Sequence, residues 1–306
     1  MEYQPEGMLY GTVLNQNYIS SAEGLSEAMN KNITVEGKVI LCTSEHDLIV
    51  DLPCGKGIIP RVEGAVGVKE GTTRDIALIS RVNKIVCFKI TGIELSENGN
   101  ITAYLSRKAA QEECQREYIS KMKKGDVISA SVSHLEQFGS FVDIGCGIPS
   151  LIPIDAMSVS RISHPSDRFY TGQRIKAVVA DNINGRIYLT HKELLGTWDE
   201  NASKFNIGET VPGIVRSIES YGVFVEIAPN LAGLTEPYEG IKVGQSVSVY
   251  IKAIIPEKMK IKLIIVDICC EKEPVPEYDY YITGGHMDSW LYSSRSSDKI
   301  IKTSFI

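Results

Sequence analysis

Two pairs of aromatic residues are the side chains of this sequence best suited to contact a ligand. Phe138 and Phe141 form the first pair, and Tyr221 and Phe224 form the second, each with a glycine directly after its first ring. In both pairs the second ring precedes an acid by two positions on an alternating apolar stretch. Residues two apart on a strand share a face, so the acid predicts a wet face and an exposed ring. Exposed rings can stack on nucleic-acid bases, at about 1–3 kcal/mol per base.

The acids behind this interpretation are Asp143 and Glu226. An alternative remains open, in which the rings close the ends of small barrels or pack against a neighbouring unit. Recurrence of the pair in two segments at one parity favours the exposed interpretation. At the matching places of an earlier segment stand His46 and Ile49, so no stacking is expected there.

Basic residues in the same two repeats as the aromatic pairs are candidates for phosphate contacts, because Lys and Arg neutralise the charge of a nucleic-acid backbone. Arg174 and Lys176 alternate with the apolar Ile175 and Ala177, which predicts that both basic side chains point outwards. The net charge of the chain is −6, so any such binding must depend on a local patch. The remaining basic candidates lie near the ends of the second and third repeats: Arg186, Lys258, Lys260 and Lys262.

Composition and motifs exclude several classes of protein. The 306 residues are 43% apolar and 23% charged, which is typical of a globular protein. No phosphate-binding loop, His-Glu-x-x-His or Gly-x-Ser-x-Gly occurs, and the seven cysteines include no Cys-x-x-Cys. No secretion signal or long apolar run is present. We therefore expect no enzyme activity, no catalytic residues, no cofactor, no metal and no membrane contact, with reduced thiols in the cytoplasm.

A strand pattern that recurs three times must position the candidate residues. Apolar or small residues stand at n, n+2, n+4 and n+7, beginning at Val35, Ile128 and Val211. Alternation followed by one extra residue is typical of a strand bent by a bulge. Further short strands follow each time, within units of roughly 70 residues and with turns between them. The pattern predicts an all-β chain of three tandem five-stranded barrels joined by short helical linkers.

The predicted boundaries follow from these repeats. Helical periodicity over 20–30, 108–121 and 191–205 indicates an N-terminal helical segment and the two linkers. In the C-terminal tail, Gly284-Gly285 is a candidate hairpin turn, after a boundary at Pro274 and Pro276. The predicted domains are an N-terminal extension with a short helix (1–33), a divergent first barrel (34–108), a helical linker (109–123), a second barrel (124–192), a linker (193–204), a third barrel (205–268) and an aromatic, β-rich tail (269–306).

Several motifs of the second repeat occur together in one known family. They are Phe138–Gly145, His164–Asp167, Gly172-Gln173 and Gly185–Ile187, and the third repeat adds Tyr221–Ile227. The chain thereby resembles tandem-repeat proteins built from the RNA-binding domain named after bacterial small-subunit ribosomal protein S-one. The resemblance is strong over 124–192, good over 205–268 and weaker over 34–108. It implies a five-stranded OB-fold barrel that binds single-stranded RNA.

The resemblance also implies which residues of the second repeat contact RNA. Phe138, Phe141 and Arg186 match the family's contacts, and Asn182 stands where the family has an aspartate. The family's histidine on the third strand is absent, with Pro153 in its place.

In the third repeat the match is partial. Tyr221 and Phe224 keep the aromatic pair, whereas Lys260 replaces the family's arginine and Pro256 its aspartate. Glu236 stands at the histidine position. These departures imply stacking and loose electrostatic contact rather than base-specific recognition.

Repeats and resemblance together predict a single-stranded RNA-binding protein linked to translation, through mRNA or the small ribosomal subunit. We expect a cytoplasmic monomer in which the second barrel dominates binding, the third assists and the first contributes little. The alternative is a protein-interaction scaffold whose barrels and aromatic tail bind another protein. Salt-dependent binding to unstructured RNA separates the two, because phosphate contacts release counterions.

Overall fold

Three closed five-stranded barrels follow one another along the chain, as the strand pattern predicts. The structure is a computed structural model that describes residues 3–183, 185–269 and 278–306. Within each barrel the strands neighbour one another in the order first, second, third, fifth, fourth. The third and fifth strands run parallel in all three. This is the Greek-key order of an OB-fold, and closure removes the exposed edges of a small sheet.

The first barrel and the helices around it come first in the chain. The helices are α1 (Val13–Ile19), α2 (Ala22–Asn30), α3 (Ile76–Ile79) and α4 (Arg107–Glu117), with 3-10 turns at Arg61–Glu63 and Ile119–Lys121. The strands are β1 (Val35–Cys42), β2 (Leu48–Leu52), β3 (Gly55–Ile59), β4 (Ile85–Leu95) and β5 (Ile101–Ser106).

The second and third barrels repeat this plan. The second consists of β6 (Val127–Glu136), β7 (Gly139–Asp143), β8 (Pro149–Pro153), β9 (Arg174–Ile183) and β10 (Arg186–Thr190). Helix α5 (Trp198–Ala202) precedes the third, which consists of β11 (Thr210–Glu219), β12 (Gly222–Ala228), β13 (Leu231–Thr235), β14 (Ser246–Ile255) and β15 (Lys260–Ile268). Short 3-10 turns lie at Ile154–Ala156, Pro165–Asp167, Lys192–Leu195 and Pro256–Lys258.

The first strand of a barrel is bent, and small residues permit the bend. Register shifts interrupt β1 between Val39 and Leu41, and β11 between Val215 and Ser217, which confirms the predicted bulges there. A Cβ on Gly37 would lie 2.6 Å from a methyl group of Val50, inside van der Waals contact. The n+2 position of the repeat is therefore small because the barrel interior is already filled.

The predicted helices are shorter than their sequence periodicity suggests. The helix predicted over 20–30 is α2, which begins after Ser21 because the side chain of Ser21 caps it by accepting the N–H of Gly24. A further helix, α1, lies before the predicted span. The helix predicted over 191–205 is broken at Gly196, whose φ of +84° ends one turn, before Thr197 caps α5. No described helix is long and apolar enough to cross a membrane.

The chain divides into two compact units, one of residues 1–122 with 143–149 and the other of 123–142 with 150–306. In the first unit a buried carboxylate holds the N-terminal segment. Glu36 accepts the backbone N–H groups of Gly7, Leu9 and Tyr10 at 2.7–2.9 Å. Burial raises the pKa of Glu36 to about 7, against the lowering effect of these donors.

The C-terminal tail belongs to the core of the second unit. Strands β16 (Ser289–Leu291) and β17 (Lys302–Ser304) pair antiparallel, and Trp290, Tyr292 and Phe305 are buried with the third barrel.

The hairpin predicted at Gly284-Gly285 is wrong. The Gly285 carbonyl accepts the N–H of Val127, and Met287 donates to the Gly125 carbonyl. These backbone groups are thus satisfied by the start of the second barrel instead of by a hairpin. The boundary predicted at Pro274 and Pro276 lies outside the described residues.

Candidate nucleic-acid interface

The aromatic pair of the second barrel lies at the surface, where β6 turns into β7. Phe138 is 57% exposed and Phe141 is half-buried, with ring centroids 6.0 Å apart and planes at 90°. Gly139 permits close approach of β7 to β8, since a Cβ there would lie 2.5 Å from the carbonyl oxygen of Ile152. Perpendicular rings form a corner in which a flat base can stack on one ring and meet the other.

The third barrel repeats this corner. Tyr221 is 63% exposed and Phe224 is half-buried, with centroids 6.2 Å apart and planes at 89°. Gly222 lies between them, and a Cβ on it would lie 2.2 Å from the carbonyl oxygen of Thr235. Two separate sequence segments therefore build the same arrangement of rings.

The acids from which we predicted a wet face are themselves buried. Asp143 accepts three backbone N–H bonds at 2.7–3.0 Å, and burial raises its pKa. Glu226 lies between Arg168 and Arg216, at 2.6 and 2.8 Å from their nitrogens. The inference from a charged neighbour was therefore wrong, because a buried carboxylate is tolerated when donors satisfy it.

Cross-strand pairing identifies further residues beside the rings of the third barrel. Phe224 stands opposite Leu234, and Leu234 stands opposite Lys262 on β15. Lys260, the predicted contact, is exposed but pairs with Ile255 at the start of the strand. The register thus makes Lys262 the lysine of the row that contains Phe224.

The corresponding residue of the second barrel is Tyr188, which the sequence analysis missed. It is half-buried on β10 and stands opposite Leu151 of β8. Arg186 is exposed two residues earlier on the same strand, so both side chains point to one side. Asn182 is exposed on β9 and pairs with Ile187. The sequence held a signal for Tyr188: it lies two positions after Arg186 on the predicted closing strand, so the two side chains share a face.

Arg174 and Lys176 lie on the other flank of β6 from the rings. Arg174 is exposed and stands opposite Ser131, while Lys176 stands opposite Ser129 and reaches its hydroxyl at 2.9 Å. The structure therefore does not bring these two residues into the row of Phe141, although their predicted outward direction is correct.

The first barrel lacks the corner of rings. Ile49 is buried, and His46 occupies the turn with a φ of +66°. In this barrel the row that corresponds to that of Phe224 consists of Ile49, Ile58 and Tyr104. The Tyr104 hydroxyl donates to Glu94 at 3.0 Å. A single tyrosine beside a carboxylate is a poor partner for a phosphodiester chain.

Metal ligands are not clustered in the part of the chain that the structure describes: no group of three or more His, Cys, Asp or Glu residues there could hold an ion. The expectation of a metal-free protein stays a prediction.

A family model described as "S1 RNA binding domain" matches residues 121–192, which confirms the resemblance of the second repeat. The chain is similar to "Small ribosomal subunit protein bS1" of Leuconostoc lactis, 32% identical over 248 residues, or 75% of this chain and 55% of that protein. It is also 27% identical over 310 residues to the protein of that name from Staphylococcus saprophyticus, covering 94% of this chain and 76% of the relative.

The chain thus spans about half the length of the Leuconostoc relative and 56% of a Bacillus cereus bS1 homolog. One solved structure that the chain resembles is a multidomain protein with nucleic acid binding domains from Streptococcus pneumoniae. The match covers 76% of this chain and 73% of that protein, at 13% identity and a TM-score of 0.25. So low a TM-score adds nothing to the description of the fold.

Proposed function

From a chain that carries an S1 RNA binding domain at residues 121–192, between two further barrels of the same topology, we infer a protein that binds single-stranded RNA. The observation that carries this inference is the repeated corner of rings, at 6.0 Å and 90° in one barrel and 6.2 Å and 89° in the other. The likeness to proteins named bS1 supports a role in translation, on mRNA or at the small ribosomal subunit.

Binding depends on stacking and on local positive charge. Phe138 and Tyr221 offer exposed rings, and Phe141 and Phe224 support them from the barrel side. Because every base has a flat face, stacking of this kind tolerates any sequence. Since Asn182 carries no charge where the family has an aspartate, base-specific contact is weak.

Phosphates are contacted by basic side chains of the second and third barrels. In the second barrel these are the exposed Arg186 on β10 and, across β6 from the rings, the exposed Arg174 and the half-buried Lys176 on β9. In the third they are Lys260 and Lys262 on β15. The chain as a whole carries −6, so binding is confined to this surface and weakens as salt rises.

A salt titration tests the proposal. Fluorescence anisotropy would follow binding of a labelled 12-nucleotide oligouridylate to the intact chain between 50 and 250 mM salt (roughly the range over which phosphate contacts are screened). We expect log K to fall linearly with log salt. Absence of binding at low salt would overturn the proposal and favour the protein-interaction scaffold.

The remaining features of the proposal are a cytoplasmic, monomeric protein without catalytic activity. RNA binding of this kind requires no catalytic group and no cofactor, because the rings and basic residues described above bind RNA without making or breaking covalent bonds. Sedimentation of the free chain and of its RNA complex would test the monomer.

A further inference from the structure

A cavity of about 460 Å³ lies in the second unit, away from the rings of the second barrel. Its walls combine the loop before β9 with the C-terminal tail. The residues that line it are Tyr170, Gly172, Gln173, Arg174, Tyr278 and Tyr280. Three aromatic rings, a guanidinium and no acidic side chain therefore surround one space.

The tail tyrosines are held in place by their hydroxyls. Tyr278 donates to the Arg168 carbonyl at 2.8 Å, and its ring lies 6.0 Å from that of Tyr280, tilted by 35°. The Tyr280 hydroxyl accepts the N–H of Lys176 at 3.2 Å and lies 3.1 Å from Nε2 of His191.

The buried His191 is neutral, because burial lowers its pKa to about 4. Its Nδ1–H then donates to the Met157 carbonyl, so Nε2 accepts from Tyr280. Every hydroxyl hydrogen bond of the two tail tyrosines thus points into the protein, and the rings are preorganised before any ligand arrives.

The loop side of the cavity offers the accessible groups. Tyr170 is 49% exposed, and its backbone N–H donates to the side chain of Gln173 at 3.1 Å, which fixes the turn. Arg174 is exposed next to it. Aromatic faces beside a guanidinium favour a flat, anionic ligand, since bases stack on rings and Arg pairs with phosphate.

A polar surface connects the cavity to the rings of the second barrel across β6. Arg174 stands opposite Ser131, and the hydroxyl of Ser133, two residues on, donates to the Phe141 carbonyl at 3.0 Å. These serines share the outward face with Lys176. Strand spacing of about 4.8 Å and a rise of about 3.4 Å per residue put the cavity roughly 12 Å from Phe141, a span of a few nucleotides.

The equivalent turn of the third barrel is built from different side chains. It has the same hydrogen bonds, from Lys242 N–H to Gln245 and from Gly244 N–H to Val215. Lys242 therefore occupies the place of Tyr170, and a buried Ser246 occupies that of Arg174. Of these two turns, among the residues that the structure describes, only that of the second barrel places a tyrosine beside an arginine.

We propose that the cavity between the loop before β9 and Tyr278 and Tyr280 is a second nucleotide-binding subsite, which takes a base and phosphate of the same RNA strand that stacks on Phe138 and Phe141. The proposal rests on the proposed function and extends it. It gives the second barrel a longer footprint than the rings alone, within the roughly 4–16 nucleotides that OB folds cover.

Oligonucleotide length separates the two subsites. The variant Tyr170→Ala/Arg174→Gln changes only exposed side chains and should bind a 12-nucleotide oligouridylate about tenfold more weakly. Its affinity for a dinucleotide, which is too short to occupy the rings and the cavity together, should stay nearly unchanged. The matched control is Lys242→Ala at the equivalent turn of the third barrel, which should change neither affinity. Equal affinity of the Tyr170→Ala/Arg174→Gln variant and the intact chain for the longer oligomer would overturn the subsite.

A cross-link locates the base directly. A 12-nucleotide oligomer carrying one 5-iodouracil near its end should, on irradiation, attach to Tyr170, Tyr278 or Tyr280 in a fraction of complexes. Cross-links restricted to the rings at 138 and 141 would overturn the subsite while leaving RNA binding intact. Failure of the intact chain to bind any oligomer at low salt would instead overturn the proposed function, so the two failures are distinguishable.

Discussion

At the scale of single residues, the two rings of each pair have different tasks. Phe138 and Tyr221 are exposed by 57% and 63%, whereas Phe141 and Phe224 are half-buried. We therefore expect a base to stack on the first ring, while the second ring limits how the first can turn. The pair acts as a rigid corner, which reduces the entropy lost on binding.

Replacing both rings of the second barrel should remove most of its affinity. For Phe138→Ala/Phe141→Ala we expect a loss of about 2–5 kcal/mol in binding of a 12-nucleotide oligouridylate, because each ring supports about one base. Titration by fluorescence anisotropy at fixed salt measures the loss. The control is His46→Ala/Tyr104→Ala in the first barrel, which should leave the affinity nearly unchanged. Equal losses from the two variants would contradict the assignment.

The register of β15 makes a second residue-scale prediction. Lys262→Gln should weaken RNA binding more than Lys260→Gln, because Lys262 stands opposite Leu234 in the row of Phe224. It should also reduce the slope of log K against log salt by about one phosphate contact. The same salt titration on both variants gives the comparison. A larger effect at Lys260 would show that RNA follows the end of the strand instead of the row.

At the scale of elements, the C-terminal tail completes the second unit rather than hanging from it. Trp290 and Tyr292 are buried in the core of the third barrel, and the Tyr280 hydroxyl reaches His191 at the end of β10. The Tyr292 hydroxyl donates to the Asn230 carbonyl. The tail therefore stabilises both barrels of that unit and shapes the cavity beside β9.

The buried His191 predicts how the stability of the second unit depends on pH. Its pKa is lowered to about 4 in the folded state, from about 6.5 in an unfolded chain, because burial disfavours the charged ring. The unfolded state thus binds the proton first as pH falls, and stability present above pH 6.5 is lost between about 6.5 and 4. The loss is on the order of 3 kcal/mol.

Urea unfolding followed by tryptophan fluorescence measures this loss, because both tryptophans, Trp198 and Trp290, lie in the second unit. His191→Gln should flatten the dependence between pH 6.5 and 4 relative to the unaltered chain. An unchanged slope in the variant would show that other groups cause the acid sensitivity.

At the scale of the whole molecule, buried charges join the second and third barrels within one unit. Arg168, in the long connection of the second barrel, is 1% exposed and donates to Glu226 of β12 at 2.6 Å. The same nitrogen lies 3.1 Å from the Pro229 carbonyl, and Arg216 reaches Glu226 from β11. The two corners of rings are therefore carried on one preorganised body.

This preorganisation predicts avidity on long RNA. A 24-nucleotide oligouridylate should bind about tenfold more tightly than a 12-nucleotide one. Once one barrel has bound the longer strand, the other barrel meets the same strand at a high effective concentration. Arg168→Met should reduce that ratio, since it removes the contact with Glu226, while leaving the affinity for the shorter oligomer similar. Arg295→Gln, at an exposed position, serves as the control. A ratio unaffected by Arg168→Met would mean that the barrels act independently of this contact.

The sequence by itself determined the three barrels and the two pairs of rings, because alternation, bulges and turn glycines are local signals. Phe141 lies on β7, and Phe138 lies in the turn directly before that strand, so the spacing of the pair around Gly139 is itself a local signal. The signals that limit helices at Ser21 and Gly196 are local too, a capping serine and a glycine with positive φ, although the helix predicted over 191–205 ran through Gly196.

Only the tertiary structure decided that Asp143 and Glu226 are buried, that Lys262 lies in the row of Phe224, and that the tail packs on the second unit. Glu226 meets Arg168 from 58 positions away, and Tyr280 meets Lys176 from 104 positions away. Side-chain parity distinguishes two faces of a strand, but it does not state which face another segment will cover. Such contacts depend on the closure of each barrel and on the packing of the third barrel and the tail against the second. There the cost of desolvating polar groups is offset by hydrogen bonds between residues far apart in sequence.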